Sequence, residues 1–331
     1  MNIKELLKEA VSREASDIHL TAGIAPVYRI HGQLIKTQRP PLEKKEAERL
    51  FLEITEDDKD EREYFKNHGE VDFCYAENFS RYRVSAFRQK GTTAMAIRII
   101  KERLPSMEDL GIPEIVKELA LKKSGLFLAA GPSGSGKSTT LAAIVEFINN
   151  ERACHIITLE DPIEYWHTPK KSIINQRQIK TDSKTFQKAL RAALRQDPDV
   201  ILIGEMRDVE TIEVAITAAE TGHLVLATLH TKSASASVGR IVDAFPPYQR
   251  NQVQNQLSYV LEGVVAQQLI PNASNTKRVA AMEILTATPA VRNLIREGKI
   301  HQLDSAIQTG AQFGMQTMDK ALKELCQHGK I

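Results

Sequence analysis

The residues whose types and spacing most plainly imply chemistry are Gly131-Pro132-Ser133-Gly134-Ser135-Gly136-Lys137-Ser138. They match G-x-x-x-x-G-K-[ST], a phosphate-binding loop. Its glycines let backbone N–H groups converge on a phosphate, and a helix starting at the loop adds the positive end of its dipole. In such a loop Lys137 reaches the β- and γ-phosphates and the Ser138 hydroxyl holds Mg²⁺. Ser133, Gly134, Ser135, Gly136 and Thr139 complete a cradle of the kind that binds ATP. The context agrees. Gly125 to Ala130 is an apolar run that predicts a buried strand, and Thr139 to Val145 predicts a helix.

Hydrolysis requires more: a metal, a carboxylate to position or deprotonate water, and cations for the transition-state charge. In an open parallel sheet those groups belong at the C-terminal ends of strands. Three segments fit. The apolar run His155 to Leu159 ends in Glu160-Asp161-Pro162-Ile163-Glu164, three carboxylates at a strand end; solvated loop acid, or Asp161 bracing the turn, is the plainer alternative. Asp199 to Ile203 runs into Gly204-Glu205-Met206-Arg207-Asp208, a Walker B arrangement with Glu205 where aspartate is commoner. Glu205 is placed to serve Mg²⁺ or to polarise water. Thr221 to Thr231 forms a further strand with His223 and His230 at opposite ends, roughly 23 Å apart at about 3.3 Å per residue. His230, at the C-terminal end, can sense a phosphate. His223 cannot reach the same group, and an interface or structural role suits it.

These strand ends need a scaffold. From residue 114 onward strands alternate with helices, the pattern of a parallel sheet covered on both faces. After Pro246 the chain reads as mainly helical, with one strand-like run at Arg278 to Ile284. Residues 1–100 read as a separate α+β domain. Ile3, Leu6, Leu7, Ala10 and Val11 recur at helical spacing. Strands follow at Asp17 to Leu20, and at Val27 to Ile30 and Gln33 to Lys36 around a turn at His31-Gly32. A helix follows Pro41. Alternating runs at Val71 to Tyr75, Tyr82 to Phe87 and Ala94 to Ile100 imply an antiparallel sheet with one wet face. Residues 101–113, with two prolines, a glycine and several charges, read as a linker.

Bulk properties narrow the class. The chain has 331 residues, 42% hydrophobic and 26% charged, with 44 Lys+Arg against 42 Asp+Glu. A net charge of +2 and 5% aromatics argue against a dedicated nucleic-acid binder. Cys74, Cys154 and Cys326 are too far apart for a zinc ribbon or disulfide framework and read as small buried hydrophobes. No apolar run approaches the roughly 18 residues of a membrane span, and the N-terminus lacks a signal-peptide core. A cytoplasmic protein is expected, touching a membrane only through partners.

Together the motifs resemble the hexameric secretion-ATPase superfamily, and within it the type IV pilus retraction ATPases, the twitching-motility PilT family. The resemblance covers nearly the whole chain. GPSGSGKSTTLAA carries the Walker A, IITLEDPIEY resembles the family's aspartate box, LRQDPDVILIGEMRDVETI its Walker B and AAETGHLVLATLHT its histidine box. ASDIHLTAGIAPVYRIHG resembles the N-terminal signature. TPAVRNLIREGK resembles the C-terminal retraction motif, with Val291 where isoleucine is usual.

The resemblance implies an α/β protein with a PAS-like N-terminal domain and a RecA-like ATPase domain. It further implies a homo-hexamer, ATP and Mg²⁺ as ligands, and an inner-membrane platform protein as partner, alongside paralogous extension or retraction ATPases. ATP turnover, at the cytoplasmic face of the inner membrane, then drives removal of pilin subunits into that membrane. Glu164 becomes the general base, and Glu205 the residue for Mg²⁺ and water. Arg81, Arg83 and Arg88 in FSRYRVSAFRQ match the segment whose arginines reach the nucleotide, often across a subunit boundary. Arg81 and Arg83 equally fit the wet face of a strand. On α-helical spacing after Pro289, Val291, Leu294 and Ile295 share one face and Arg292 and Arg296 another. Three rivals stand beside this reading: a pilus-assembly or type II secretion ATPase of the same superfamily, a RecA-like nucleic-acid motor, and a nucleotide-regulated scaffold without turnover.

Overall fold

The computed structural model describes all residues except 31, 57, 78, 79, 101–103 and 275. The expected turn at His31 and the first three residues of the expected linker lie outside the described residues. The chain divides into two compact units, Met1–Arg103 and Leu104–Ile331.

The first unit comprises α1 (Ile3–Ser12), β1 (Asp17–Thr21), β2 (Val27–Ile30), β3 (Gln33–Lys36), α2 (Lys44–Ile54), α3 (Lys59–His68), β4 (Glu70–Glu77), β5 (Ser80–Gln89) and β6 (Thr92–Ile100). The region after Pro41 thus holds two helices. Asn2 caps α1, its side chain accepting the Lys4 N–H at 2.8 Å. Ile3, Leu6, Leu7 and Ala10 of α1 are buried, as the helical spacing demands. The six strands form one antiparallel sheet in the order β3-β2-β1-β6-β5-β4. On β5, Tyr82, Val84 and Ala86 point into the core while Arg83 is exposed.

The second unit comprises α4 (Glu114–Ala120), β7 (Gly125–Ala130), α5 (Lys137–Glu151), β8 (His155–Glu160), β9 (Ile173–Gln178), α6 (Phe186–Ala193), β10 (Val200–Ile203), α7 (Val209–Glu220), β11 (Leu224–Leu229), α8 (Ala234–Asp243), α9 (Pro247–Val260), β12 (Leu261–Pro271), β13 (Arg278–Thr286), α10 (Pro289–Arg296), α11 (Leu303–Thr309) and α12 (Met318–Gln327). Its seven strands run β13-β12-β7-β11-β10-β8-β9, parallel except for β13. The central strands β7, β10 and β11 are buried along their whole length. That is why they read as unbroken apolar runs: helices cover both faces.

Three details differ from the sequence reading. Leu104 to Pro113 are not free linker, because Met107 and Ile112 are buried in the core of the second unit beside Val116 and Ile144. After Pro246 there are two strands rather than one. β12 pairs with β7 inside the sheet, and its burial on both faces removed the alternation that marks a half-buried strand. Finally, none of the cysteines is fully buried: Cys326 is exposed, Cys74 is half-buried, and Cys154 is half-buried against the core of the second unit.

Candidate nucleotide site

Parallel register aligns the functional strand ends. Leu229 of β11 stands opposite Ala130 of β7, and Ile203 of β10 opposite both Ala227 and Leu159. The residues that follow each strand therefore emerge on one edge: the phosphate loop after β7, Glu205 after β10, His230 after β11, and the acidic loop at the end of β8.

The phosphate loop presents Ser133, Gly134 and Ser138 to solvent and buries Ser135 and Lys137. The Lys137 ammonium donates to the carbonyls of Gly131 at 2.8 Å and Pro132 at 3.0 Å. Burial pushes its pKa below the usual lysine value, opposed by the charges of Glu205 and Glu164. A desolvated cation facing two carboxylates, with no carboxylate in direct contact among the described residues, suits a polyanionic ligand. Ser135 Oγ is likewise buried without a hydrogen-bond partner. A Cβ on Gly134 would meet open space. These features fit a nucleotide phosphate chain.

Two residues brace the loop that the sequence reading missed. Gln267 on β12 is buried, donates from Nε2 to the Ser135 carbonyl at 2.8 Å and accepts from Thr140 Oγ1 at 2.7 Å. Tyr165 pairs its hydroxyl with Thr139 Oγ1 at 2.9 Å, tying the acidic loop to the start of α5. A glutamine inside the apolar run Val264-Val265-Ala266-Gln267 was the available signal, since a buried amide needs partners.

Glu205 is half-buried, and one of its oxygens receives two groups. Arg207 Nε lies 2.7 Å and His230 Nε2 3.2 Å from Oε1. Arg207, also missed, is largely exposed. Asp208 ends the Walker B segment as the N-cap of α7, accepting from the Thr211 N–H at 2.7 Å. Among the described residues no cluster of three or more His, Cys, Asp and Glu side chains could hold a metal. The donors Ser138 and Glu205 instead suit Mg²⁺, which keeps waters and takes phosphate oxygens as ligands.

The acids of the aspartate box separate by environment. Glu160 is half-buried, and desolvation raises its pKa. Its Oε1 accepts from Thr158 Oγ1 at 2.7 Å and Gln176 Nε2 at 3.2 Å. Asp161 pairs with Lys180 at 3.2 Å on the surface. Glu164 is the exposed acid that acts on Lys137. His223, at the far end of β11, binds the Ala218 carbonyl through Nδ1 at 2.9 Å. Arg81 and Arg83 lie on β5 of the first unit, Arg81 half-buried and Arg83 exposed.

Residues 1–308 match the family described as "Type II/IV secretion system protein". The chain belongs to that family. It is 47% identical over 332 residues to the "Type IV pilus retractation ATPase PilT" of Pseudomonas aeruginosa, covering 100% of this chain and 96% of the relative. It is 44% identical to the "Twitching motility protein" of Neisseria gonorrhoeae, covering 100% of this chain and 88% of that protein. A crystal structure of the pilus retraction motor PilT with bound ADP superposes with a TM-score of 0.94 at 45% identity, covering 100% of this chain and 94% of the other. The secretion-ATPase membership and the α/β class read from the motifs hold.

On α10, Val291 and Ile295 are buried as the spacing required. Arg292, on the face it shares with Arg296, is not free in solvent. Its guanidinium donates to the carbonyls of Ala287 at 3.0 Å, Ser258 at 3.0 Å and Tyr259 at 2.6 Å, and to Glu262 at 2.8 Å. It closes the C-terminal carbonyls of α9 and joins that helix to β12. Arg296 is exposed, with its Nη2 donating to Asn293 at 3.2 Å.

Proposed function

We propose that this chain is a Mg²⁺-dependent motor ATPase that works as a homo-hexamer and drives retraction of a type IV pilus. The observation that carries the reading is a buried Lys137 under the charges of Glu205 and Glu164, in a chain that aligns end to end with a retraction ATPase. Lys137 and the loop N–H groups bind the phosphates. Ser138 and Glu205 hold Mg²⁺, which neutralises phosphate charge when bound. Glu164 takes a proton from the attacking water, and His230 couples Glu205 to the state of the site. Arg81 or Arg83 serves as the finger for a neighbouring subunit's nucleotide. The ring acts at the cytoplasmic face of the inner membrane on a platform protein, with paralogous pilus ATPases as further partners and no nucleic acid. No helix among the described residues is long and apolar enough to cross a membrane.

Retraction is tested in cells. A deletion strain should carry more pili and fail to twitch; fewer pili would favour an assembly ATPase. The helix of the retraction motif tests coupling. Arg296→Ala should leave assembly and ATP turnover intact while twitching is lost, and normal twitching would refute that role. Arg292→Ala is unsuitable for this purpose, because losing its charged hydrogen bonds should destabilise the fold by about 1.5–3 kcal/mol. Mixing Lys137→Ala with Arg83→Ala subunits tests a finger in trans: mixed rings should regain activity that neither parent has.

A further inference from the structure

Glu164 is carried on a segment, residues 161–170, that contains no glycine and has no regular secondary structure. A base must be held closely, since a displacement of about 1 Å can cost on the order of 100-fold in rate. The segment's backbone must therefore be fixed by something outside it. We infer that Gln176 on β9 is the positioning residue for Glu164, gripping the backbone immediately after it at Tyr165 and His167. The inference rests on Glu164 being the base.

The register brings Gln176 there. β8 and β9 are parallel, with Gln176 opposite Thr158 and Gln178 opposite Glu160. From that position the Gln176 amide uses both kinds of group. Nε2 donates to the Tyr165 carbonyl at 2.8 Å and to Glu160 Oε1 at 3.2 Å. Oε1 accepts the His167 N–H at 2.8 Å. Glu160, which shares the Nε2 donor, is itself held by Thr158 Oγ1 at 2.7 Å. The carbonyl of 165 and the N–H of 167 thus both end on one amide, which Glu160 holds in turn. Only a primary amide offers two donors and an acceptor in this space; glutamate would only accept, and leucine would do neither. Glu160 accordingly acts as an acceptor that holds the Gln176 amide in place rather than as a second base.

The test uses the full-length assembled protein and four forms: wild type, Gln176→Leu, Glu164→Gln and the double variant. Gln176→Leu should lower kcat for ATP hydrolysis roughly tenfold or more, with KM for ATP and ring assembly unchanged. In the Glu164→Gln background the same substitution should change kcat by less than about twofold, because two residues acting through one group are not additive. An equal loss in both backgrounds would mean that Gln176 merely supports the fold, and an unchanged kcat in Gln176→Leu would also overturn the inference. If Glu164→Gln alone turns over normally, the base assignment fails and this inference falls with it. Should Gln176→Leu not fold, Gln176→Glu replaces it, keeping the size and the acceptor for His167 while losing both donors, with the same expectations.

Discussion

The phosphate loop and the acidic loop leave the same edge of one sheet, yet they are held mainly by different means. The first is fixed by backbone conformation. Gly131, Gly134 and Gly136 have φ of 147°, 76° and 90°, values that L side chains rarely adopt. The second has no glycine and is fixed by side chains reaching in from elsewhere. Gln176 binds it from β9. From α5, Glu146 meets His167 and Lys170, and Asn149 donates to the Thr168 carbonyl and accepts the Lys170 N–H. A loop that must offer its own N–H groups to an anion can spend few on internal bonds, here the Ser135 N–H on the Pro132 carbonyl at 3.2 Å, so its geometry is written largely into φ. A loop that must aim one carboxylate can have its backbone bound on all sides.

The first means predicts steep sensitivity to a single methyl. A Cβ on Gly131 would lie 2.5 Å from the Gln267 backbone carbonyl and still closer to Ser135 Oγ. Backbone strain of about 1–3 kcal/mol adds to overpacking of about 1–3 kcal/mol. Gly131→Ala should thus weaken ATP binding by on the order of 100-fold or more, read by titration with a fluorescent nucleotide. Gly134→Ala meets open space and carries only the conformational cost, about 1–2 kcal/mol, so its loss should be smaller. Equal losses would break the distinction between space and strain.

Each loop also has a distant brace, and the two should fail differently. Gln267→Leu strands the Ser135 carbonyl and the Thr140 hydroxyl, each costing about 1–3 kcal/mol when buried and unpaired. It should raise KM for ATP and lower the unfolding temperature, while kcat changes little. Glu146→Ala frees His167 and Lys170 on the acidic loop. It should lower kcat several-fold, by the misplacement argument, with KM nearly constant. If both variants altered KM and kcat alike, the two loops would be one mechanical unit.

The same contrast explains what the sequence could disclose. Gly131 to Ser138 were legible because their constraint is local: positive φ selects glycine, and the anion selects lysine. The strand ends bearing Glu164, Glu205 and His230 were legible because buried parallel strands leave apolar runs with an acid or histidine at one end. Gln176 and Gln267 were not. Gln267 acts on a loop remote in sequence and Gln176 on the irregular segment just before its own strand, but each sits on a strand that reads ambiguously, so only register reveals its partner. Arg292 was misread for a related reason. Helical spacing placed it on a polar face, but nothing local says that the carbonyls of Ser258 and Tyr259 end there.

The smallest expected effect concerns His167, whose side chain is only 3% exposed and lies 3.2 Å from Glu146 through Nδ1. With its proton on Nδ1 the neutral ring donates to that carboxylate. Burial nevertheless pushes its pKa below 6.5, outweighing the attraction of Glu146. The folded protein therefore binds this proton less tightly than the unfolded chain does. Stability from this group is complete above the unfolded value and declines as pH falls through it, until the lower folded value is reached. Replacing His167 with Gln should remove that part of the pH dependence. The difference in unfolding free energy between wild type and His167→Gln, followed by denaturant titration, should change with pH below about 6.5 and stay flat above it. A difference that instead favoured wild type more as pH dropped would mean that Glu146 dominates and the ring is held charged. His167 would then add a second ion pair to α5 beside that of Lys170, rather than a neutral hydrogen bond.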